Sequence, residues 1–203
     1  MHVTGCRSRV LLLLCLAAGV SVTGQQPDAS DLVITGQVTV EGRQMPYQIR
    51  HLPPSSFQDM PLAIAAALTQ RGCLIPQTYE AHRPENVIHG SFERAGSADW
   101  AVLCSSGGAV SLLVFFGSMP GQPVTLATAP ETERLQTHPS SQVLGFNWGI
   151  DPATPQAVHV AQIGLSPRPP TPDHDALADS VIDHKTIYRY FKNGTWGLVD
   201  LPD

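Results

Sequence analysis

Proline is the residue that most constrains how this chain can fold. The sequence contains 18 prolines, and all of them lie after residue 24. Because proline fixes φ, lacks an N–H and interrupts helices and central strands, this density predicts many turns and short elements. The densest run covers residues 166–172, where we expect a stiff, extended crossing between two parts of one domain. The alternative interpretation of that run is a ligand for a proline-binding module.

The first 24 residues have the layout of a secretory signal peptide. Arg7 and Arg9 precede an apolar run over residues 10–20, and small or polar residues follow as far as Gly24. The run is too short for a membrane-spanning helix, which needs about 20 residues. We therefore predict a signal peptide at 1–24 and export to the periplasm or the extracellular space. An uncleaved anchor and a lipid-anchored Cys15 are the alternatives.

The charge of the exported chain limits the classes of partner. Loss of Arg7 and Arg9 with the leader takes the formal net charge from −5 to about −7. The densest basic cluster comprises Lys185, Arg189 and Lys192, and it does not form a continuous stripe. Nucleic acids and anionic membranes attract extended basic surfaces, so neither is expected as a partner. The expected partner is an unidentified protein or small molecule, and no membrane span is expected in the mature chain.

Hydrophobic periodicity predicts an N-terminal hairpin and one main helix. Residues 31–40 alternate between apolar and polar side chains, which is typical of a strand with one exposed face, and residues 45–51 form the return strand. The helix is predicted over residues 60–71. Asp59 is placed to cap its N-terminus, and Gly72 to end it in a left-handed conformation.

The remaining apolar segments predict further strands. Continuous runs at 100–104 and 112–116 indicate a central hairpin that is covered on both faces. Asn193-Gly194 is the favoured two-residue hairpin turn, and it lies between two strand-like stretches. Shorter strands are predicted at 124–127, 143–148 and 157–163. Together the patterns predict one α+β domain over residues 25–203: a mostly antiparallel sheet, one main helix packed on it, and a C-terminal β-hairpin.

Two cysteines, Cys73 and Cys104, remain after removal of the leader. In an oxidising compartment a lone pair of cysteines most often forms a disulfide, which here would join the end of the helix to the central strand. One alternative is a nucleophilic thiol with His89 as its base. The other is a pair of free, buried thiols.

The most suggestive motif of the chain covers residues 90–102. It begins at Gly90, continues with Phe92 and ends in Asp99 followed by an apolar strand. This segment resembles the loop of FG-GAP/VCBS-type repeats, which implies a strand–loop–strand unit whose loop often binds calcium. Calcium takes about six to eight oxygen ligands, several of them charged, and only Glu93 and Asp99 are carboxylates here. No metal is therefore predicted, and a weak calcium-binding loop is the alternative.

A second group of potential ligands is acidic and rich in histidine. Its members follow the proline-rich run: Asp173, His174, Asp175, Asp179, Asp183 and His184. Metal sites are built from such residues, but their spacing matches no standard ligand pattern. We predict solvated surface residues at this patch, with a weak metal-binding module as the alternative.

The catalytic signatures that a sequence can reveal are absent. The chain has no Gly-x-Ser-x-Gly elbow, no His-Glu-x-x-His zinc motif and no phosphate-binding glycine-rich loop. Segments 71–77 and 99–104 and the hairpin tail resemble those of exported bacterial proteins without an assigned activity. We predict a non-catalytic, exported binding or envelope-associated protein with no cofactor and no catalytic or metal residues. The alternatives are an exported hydrolase that uses Asp, Glu and His side chains, and a weak calcium or metal module.

Overall fold

The computed structural model describes residues 32–137 and 141–200, together with residue 2. The predicted signal peptide, apart from His2, and the lipid-anchor alternative at Cys15 lie outside the described residues. Within the described ranges, no helix has both the length and the apolar character needed to cross a membrane.

Short strands dominate the regular structure. In chain order they are β1 (Val33–Val40), β2 (Arg43–Leu52), β3 (Ile75–Gln77), β4 (Val87–Gly90), β5 (Asp99–Ser106), β6 (Ala109–Phe115), β7 (Val124–Pro130), β8 (Leu135–Thr137), β9 (Leu144–Phe146), β10 (Trp148–Ala153), β11 (Ala176–Val181), β12 (Lys185–Lys192) and β13 (Thr195–Asp200). The helices are α1 (Leu62–Gln70) and α2 (Pro155–Ala161), and 3-10 turns occupy Pro54–Ser56 and Glu131–Glu133.

These strands form three sheets. The first has the order β1-β2-β9-β8, with β3 also paired to β2. The second has the order β4-β5-β6-β7, and the third β10-β11-β12-β13. Neighbouring strands are antiparallel except β2 and β9, which pair in parallel.

The observed architecture corrects the predicted fold class. Strands account for 48% of the structure and helices for 14%, so the fold is mostly β, with three sheets and two helices, and not one helix on one sheet. The predicted strand at 157–163 is wrong, because this segment belongs largely to α2. Thr154 caps that helix by accepting a hydrogen bond from the Ala157 N–H, and Pro155 occupies its first turn. These start signals outweigh the strand preference of the valines that follow.

The second sheet is buried on both faces. On one face of β5 and β6, Ala101 and Leu112 pack with residues of the other two sheets in a shared core. On the opposite face, Val102 and Phe115 pack against α1. The burial expected for the central hairpin is therefore confirmed. The third sheet also contacts the shared core, and α2 packs against its other face.

The predicted hairpins at both ends of the described chain are confirmed. β1 and β2 pair around Glu41-Gly42, and β12 and β13 pair around Asn193-Gly194. Asn193 and Gly194 have φ angles of 52° and 80°, the positive values that a tight two-residue turn requires at both central positions.

The predicted helix at 60–71 corresponds to α1, but its cap differs from the prediction. Pro61 is the N-cap and no side chain caps the helix, so the role predicted for Asp59 is wrong. Gly72 ends the helix with a φ of 65°, as expected. Cys73 follows at once, and its Cα lies 5.1 Å from that of Cys104 on β5, in a disulfide. This pair joins α1 to the second sheet as predicted.

Candidate functional site

A groove of about 690 Å³ lies beside the paired strands β4 and β5. A neighbouring cavity of about 380 Å³ shares Asp59, His89 and Trp100 with it. We call the two together the Trp100 groove. Its polar and aromatic lining residues include Asp59, His89, Ser91, Trp100, Thr154 and Asp175.

The antiparallel register of β4 and β5 positions the aromatic part of the Trp100 groove. His89 and Trp100 are directly opposed across the two strands. Their ring centroids lie 5.3 Å apart, with the ring planes tilted by 50°. Trp100 is partly buried and also packs against the core beneath α1, whereas His89 is exposed. The groove is therefore lined by a partly buried indole and an accessible imidazole.

Two loop carboxylates complete the groove. Asp59 precedes α1, and Asp175 immediately precedes β11. Asp175 Oδ2 accepts a hydrogen bond of 2.9 Å from the Ser91 N–H, which fixes the side chain. Gly90 permits this approach, because a Cβ there would lie 2.8 Å from the Phe92 ring and 3.2 Å from Asp175 Oδ2. Asp175 is thus held in place through one carboxylate oxygen, and its other oxygen remains available for a ligand.

The groove is acidic. Its lining contains the carboxylates of Asp59 and Asp175, and neither lysine nor arginine. No described residue forms a hydrogen bond or an ion pair with the side chains of Asp59 or His89. An unpartnered carboxylate beside an indole favours a ligand that carries a positive charge.

The motif at 90–102 forms a loop between β4 and β5, and its acids are engaged by the protein. Asp99 is buried and accepts hydrogen bonds from the Glu93 N–H at 2.7 Å, the Gly117 N–H at 2.8 Å and the Ser97 hydroxyl. The Glu93 carboxylate pairs with Arg94 at 3.0 Å. Asp99 therefore ties the loop to the end of β6, and the carboxylate oxygens that calcium would need accept protein donors.

The predicted acidic and histidine-rich patch is dispersed. Asp175 lines the Trp100 groove, whereas Asp179 is a buried residue of β11 that binds Arg189 at 2.7 Å and accepts a hydrogen bond of 2.6 Å from the Trp148 indole N–H. Asp183 lies at the β11–β12 turn and accepts a hydrogen bond from the Tyr79 hydroxyl. Asp173 is exposed, His174 is buried, and His184 follows Asp183 in the turn. Among residues 32–137 and 141–200, no three His, Cys, Asp or Glu side chains converge as metal ligands.

A buried polar cluster lies between the first and second sheets. His51 Nε2 lies 2.7 Å from Glu131 Oε1, and the Ser105 hydroxyl donates to the same oxygen. Burial raises the pKa of Glu131, but the hydrogen bonds from His51 and Ser105 and the attraction of His51 outweigh it and lower the net pKa. All three residues are buried, so this cluster serves the fold rather than a ligand.

The cysteine pair stands apart from the groove. Cys73 and Cys104 are buried in the cluster beneath α1, and neither lines the groove that contains His89. The structure therefore does not place His89 as the base of a cysteine nucleophile.

Sequence reasoning found only part of this site. The sequence predicts Trp100 in a strand and Asp175 in an acidic patch, and its capping role for Asp59 is wrong. Nothing local in the sequence links the three residues. Comparisons with family models, curated proteins and solved structures find no match to this chain. We therefore infer its function from the chemistry of the groove.

Proposed function

We propose that the protein is a non-catalytic, exported binding protein that takes a small organic cation in the Trp100 groove. The observation that carries the proposal is the combination of Trp100 with the carboxylates of Asp59 and Asp175 in a concave surface without a lysine or arginine. Export is supported by the layout of residues 1–24 and by the paired cysteines, which are typical of oxidising compartments.

The chemistry of the lining selects the charge of the ligand. A cation above an indole face gains about 0.5–2 kcal/mol, depending on how far it is desolvated. A carboxylate next to the cation adds a charge-assisted hydrogen bond when the ligand carries N–H groups. Because Asp175 is fixed by Ser91, it is preorganised for such a contact, while the exposed Asp59 is free to adjust.

Calorimetric titration with phenethylamine tests the proposal, with 2-phenylethanol as the uncharged analogue. We expect saturable binding of the amine only, and at least tenfold weaker binding for Asp59→Asn and Asp175→Asn. Asp173→Asn is the matched control, because it makes the same change of charge two residues before Asp175 but at an exposed residue outside the groove lining. Equal binding of the alcohol, or an equal loss in Asp173→Asn, would contradict the proposal.

Export has its own test. Fractionation of the producing cell, followed by N-terminal sequencing of the recovered protein, should find a chain in the periplasm or medium that begins after residue 24. An uncut chain in the cytosol would contradict export without bearing on the groove.

An exported hydrolase is the second candidate, because His89 lies in the same groove as the two carboxylates. In that case the exposed imidazole of His89 acts as the general base. Hydrolysis of p-nitrophenyl acetate above the rate in buffer, lost in His89→Ala and retained in the exposed-site control His82→Ala, would favour this candidate. Equal rates for wild type and His89→Ala favour the binding protein.

A further inference from the structure

A second cavity, of about 350 Å³, lies where the first sheet branches. One edge of β2 is shared by two strands: Tyr47 and Gln48 pair with β9, and Arg50 to Leu52 pair with β3. The two partners run in opposite directions along β2 and separate between Gln48 and Arg50. The cavity lies at this branch, and Gln48, Arg50, Leu144 and Gly145 are among its lining residues. We call it the Arg50 cleft.

Arg50 supplies the charge of the cleft. Its position on β2 alternates with those of Ile49 and His51, which are buried, so the side chain points to the opposite face of the sheet. Arg50 Nη2 donates a hydrogen bond of 3.1 Å to the Ala81 carbonyl oxygen, which orients the guanidinium group. Within the described part of the chain, no carboxylate lies at ion-pair distance from Arg50, and no Asp or Glu lines the cleft. The remaining N–H groups of the guanidinium therefore face a cleft without a counter-charge.

Tyr79, another lining residue of the cleft, is held rigidly. Tyr79 packs directly on the backbone of β9, because a Cβ at Gly145 would lie only 2.4 Å from the Tyr79 Cβ. The Tyr79 hydroxyl donates to Asp183 Oδ2 at 3.0 Å, and the Tyr79 N–H donates to the Phe146 carbonyl oxygen at 2.9 Å. Burial and the hydrogen bond to Asp183 raise the pKa of Tyr79 to about 12, so the phenol stays neutral. The cleft is thus preformed, and its aromatic wall adds no negative charge.

We propose that the Arg50 cleft binds the carboxylate group of a small organic acid. The planar guanidinium fork matches the two oxygens of a carboxylate, and a single cation matches a single negative charge. Val143 provides exposed apolar surface for the body of such a ligand, and Gln48 provides an amide at the branch. A dianion such as phosphate is disfavoured, because Arg50 is the one cation among the lining residues of the cleft and leaves a second negative charge unpaired. This site is separate from the Trp100 groove and prefers the opposite charge.

Calorimetric titration of the full chain with benzoate tests the proposal. We expect saturable binding of benzoate, no binding of benzyl alcohol, and at least tenfold weaker binding of inorganic phosphate. Arg50→Gln should abolish benzoate binding, and Arg50→Lys, which keeps the charge but loses the fork, should weaken it at least tenfold. Arg43→Gln is the matched control, because it makes the same change at an exposed position on the same strand and should bind as the wild type does.

Several outcomes would overturn the inference. Unchanged benzoate affinity in Arg50→Gln would remove Arg50 from the site, and tighter binding of phosphate than of benzoate would show the wrong ligand class. If Arg50→Gln loses its near-UV circular dichroism, and with it its tertiary packing, the Arg50→Lys variant becomes the test. A folded Arg50→Lys variant with wild-type affinity for benzoate would contradict the role of the guanidinium fork. Asp59→Asn should leave benzoate binding unchanged, so failure of this proposal and failure of the Trp100 groove are distinguishable.

Discussion

Removal of the disulfide between Cys73 and Cys104 should cost this protein a large part of its stability. The closed loop has a sequence separation of 31 residues. In the chain-entropy model, a cross-link of that length removes about 12 cal/mol/K from the unfolded chain, or about 3.7 kcal/mol at 25 °C. Domains of ordinary size have free energies of unfolding of about 5–15 kcal/mol, so the loss is substantial. Cys73→Ala/Cys104→Ala is the suitable variant, because both side chains are buried among apolar residues.

Urea denaturation followed by tryptophan fluorescence measures the effect. With a denaturant slope of about 2 kcal/mol/M, the midpoint of the double variant should lie about 2 M below that of the oxidised wild type. The reduced wild type is the control, because it keeps both sulfur atoms but lacks the cross-link. Its urea midpoint should lie close to that of the double variant. Coincident curves for oxidised and reduced wild type, or free thiols in the native protein detected by alkylation, would refute the reasoning.

Two further predictions concern buried contacts. Glu131→Leu leaves His51 and Ser105 without their acceptor. We expect the free energy of unfolding to fall by about 2–6 kcal/mol at pH 7, since each buried unsatisfied group costs about 1–3 kcal/mol. The folded pKa of Glu131 lies below the unfolded value of about 4.3, so the part of this stabilisation that depends on the carboxylate charge is fully present above that pH. That part is lost as the pH falls through the folded pKa, so the difference from wild type should shrink in acid urea titrations. Gly145→Ala forces a Cβ against Tyr79 and should destabilise the protein by about 1–3 kcal/mol in the same assay. Gly121→Ala is the control, because a Cβ there has no neighbour within 4 Å, and its stability should stay within about 0.5 kcal/mol of wild type. Equal effects of the two alanines would contradict the close packing of Tyr79 on Gly145.

The local features of the fold could be predicted from the sequence because their signals are local. Asn193-Gly194 determines its own turn, and the continuous apolar runs of β5 and β6 reveal strands that are covered on both faces. The partition into three sheets could not be predicted, since alternation shows which face of a strand is buried but not which strand lies beside it. The parallel pairing of β2 with β9 joins segments that share no sequence signal.

The second helix was missed for a different reason. Val158 and Val160 favour a strand by their residue type, and α2 has only seven residues, too few to show a clear helical period. The signal that could have found it is the Thr154-Pro155 pair, a capping residue followed by proline in the first turn.

The cysteine pair was predictable because the predicted loss of the leader would remove Cys6 and Cys15, and the two cysteines that then remain allow one disulfide. The Trp100 groove was not, because Asp59, Trp100 and Asp175 come from three distant parts of the chain and meet only after the sheets have packed. The cleft at Arg50 could not be predicted either, because it forms where β2 pairs with both β3 and β9.

That branch also affects the order in which the protein can be completed during synthesis. β1 and β2 emerge early and pair with each other, yet the other edge of β2 has no partner at Tyr47 and Gln48 until β9 has followed. An unpaired strand edge is a template for strands of other chains. Chains whose synthesis stops before β9, or that are cut there, would keep this unpaired strand edge. We expect such fragments to aggregate or be degraded rather than accumulate as smaller stable proteins.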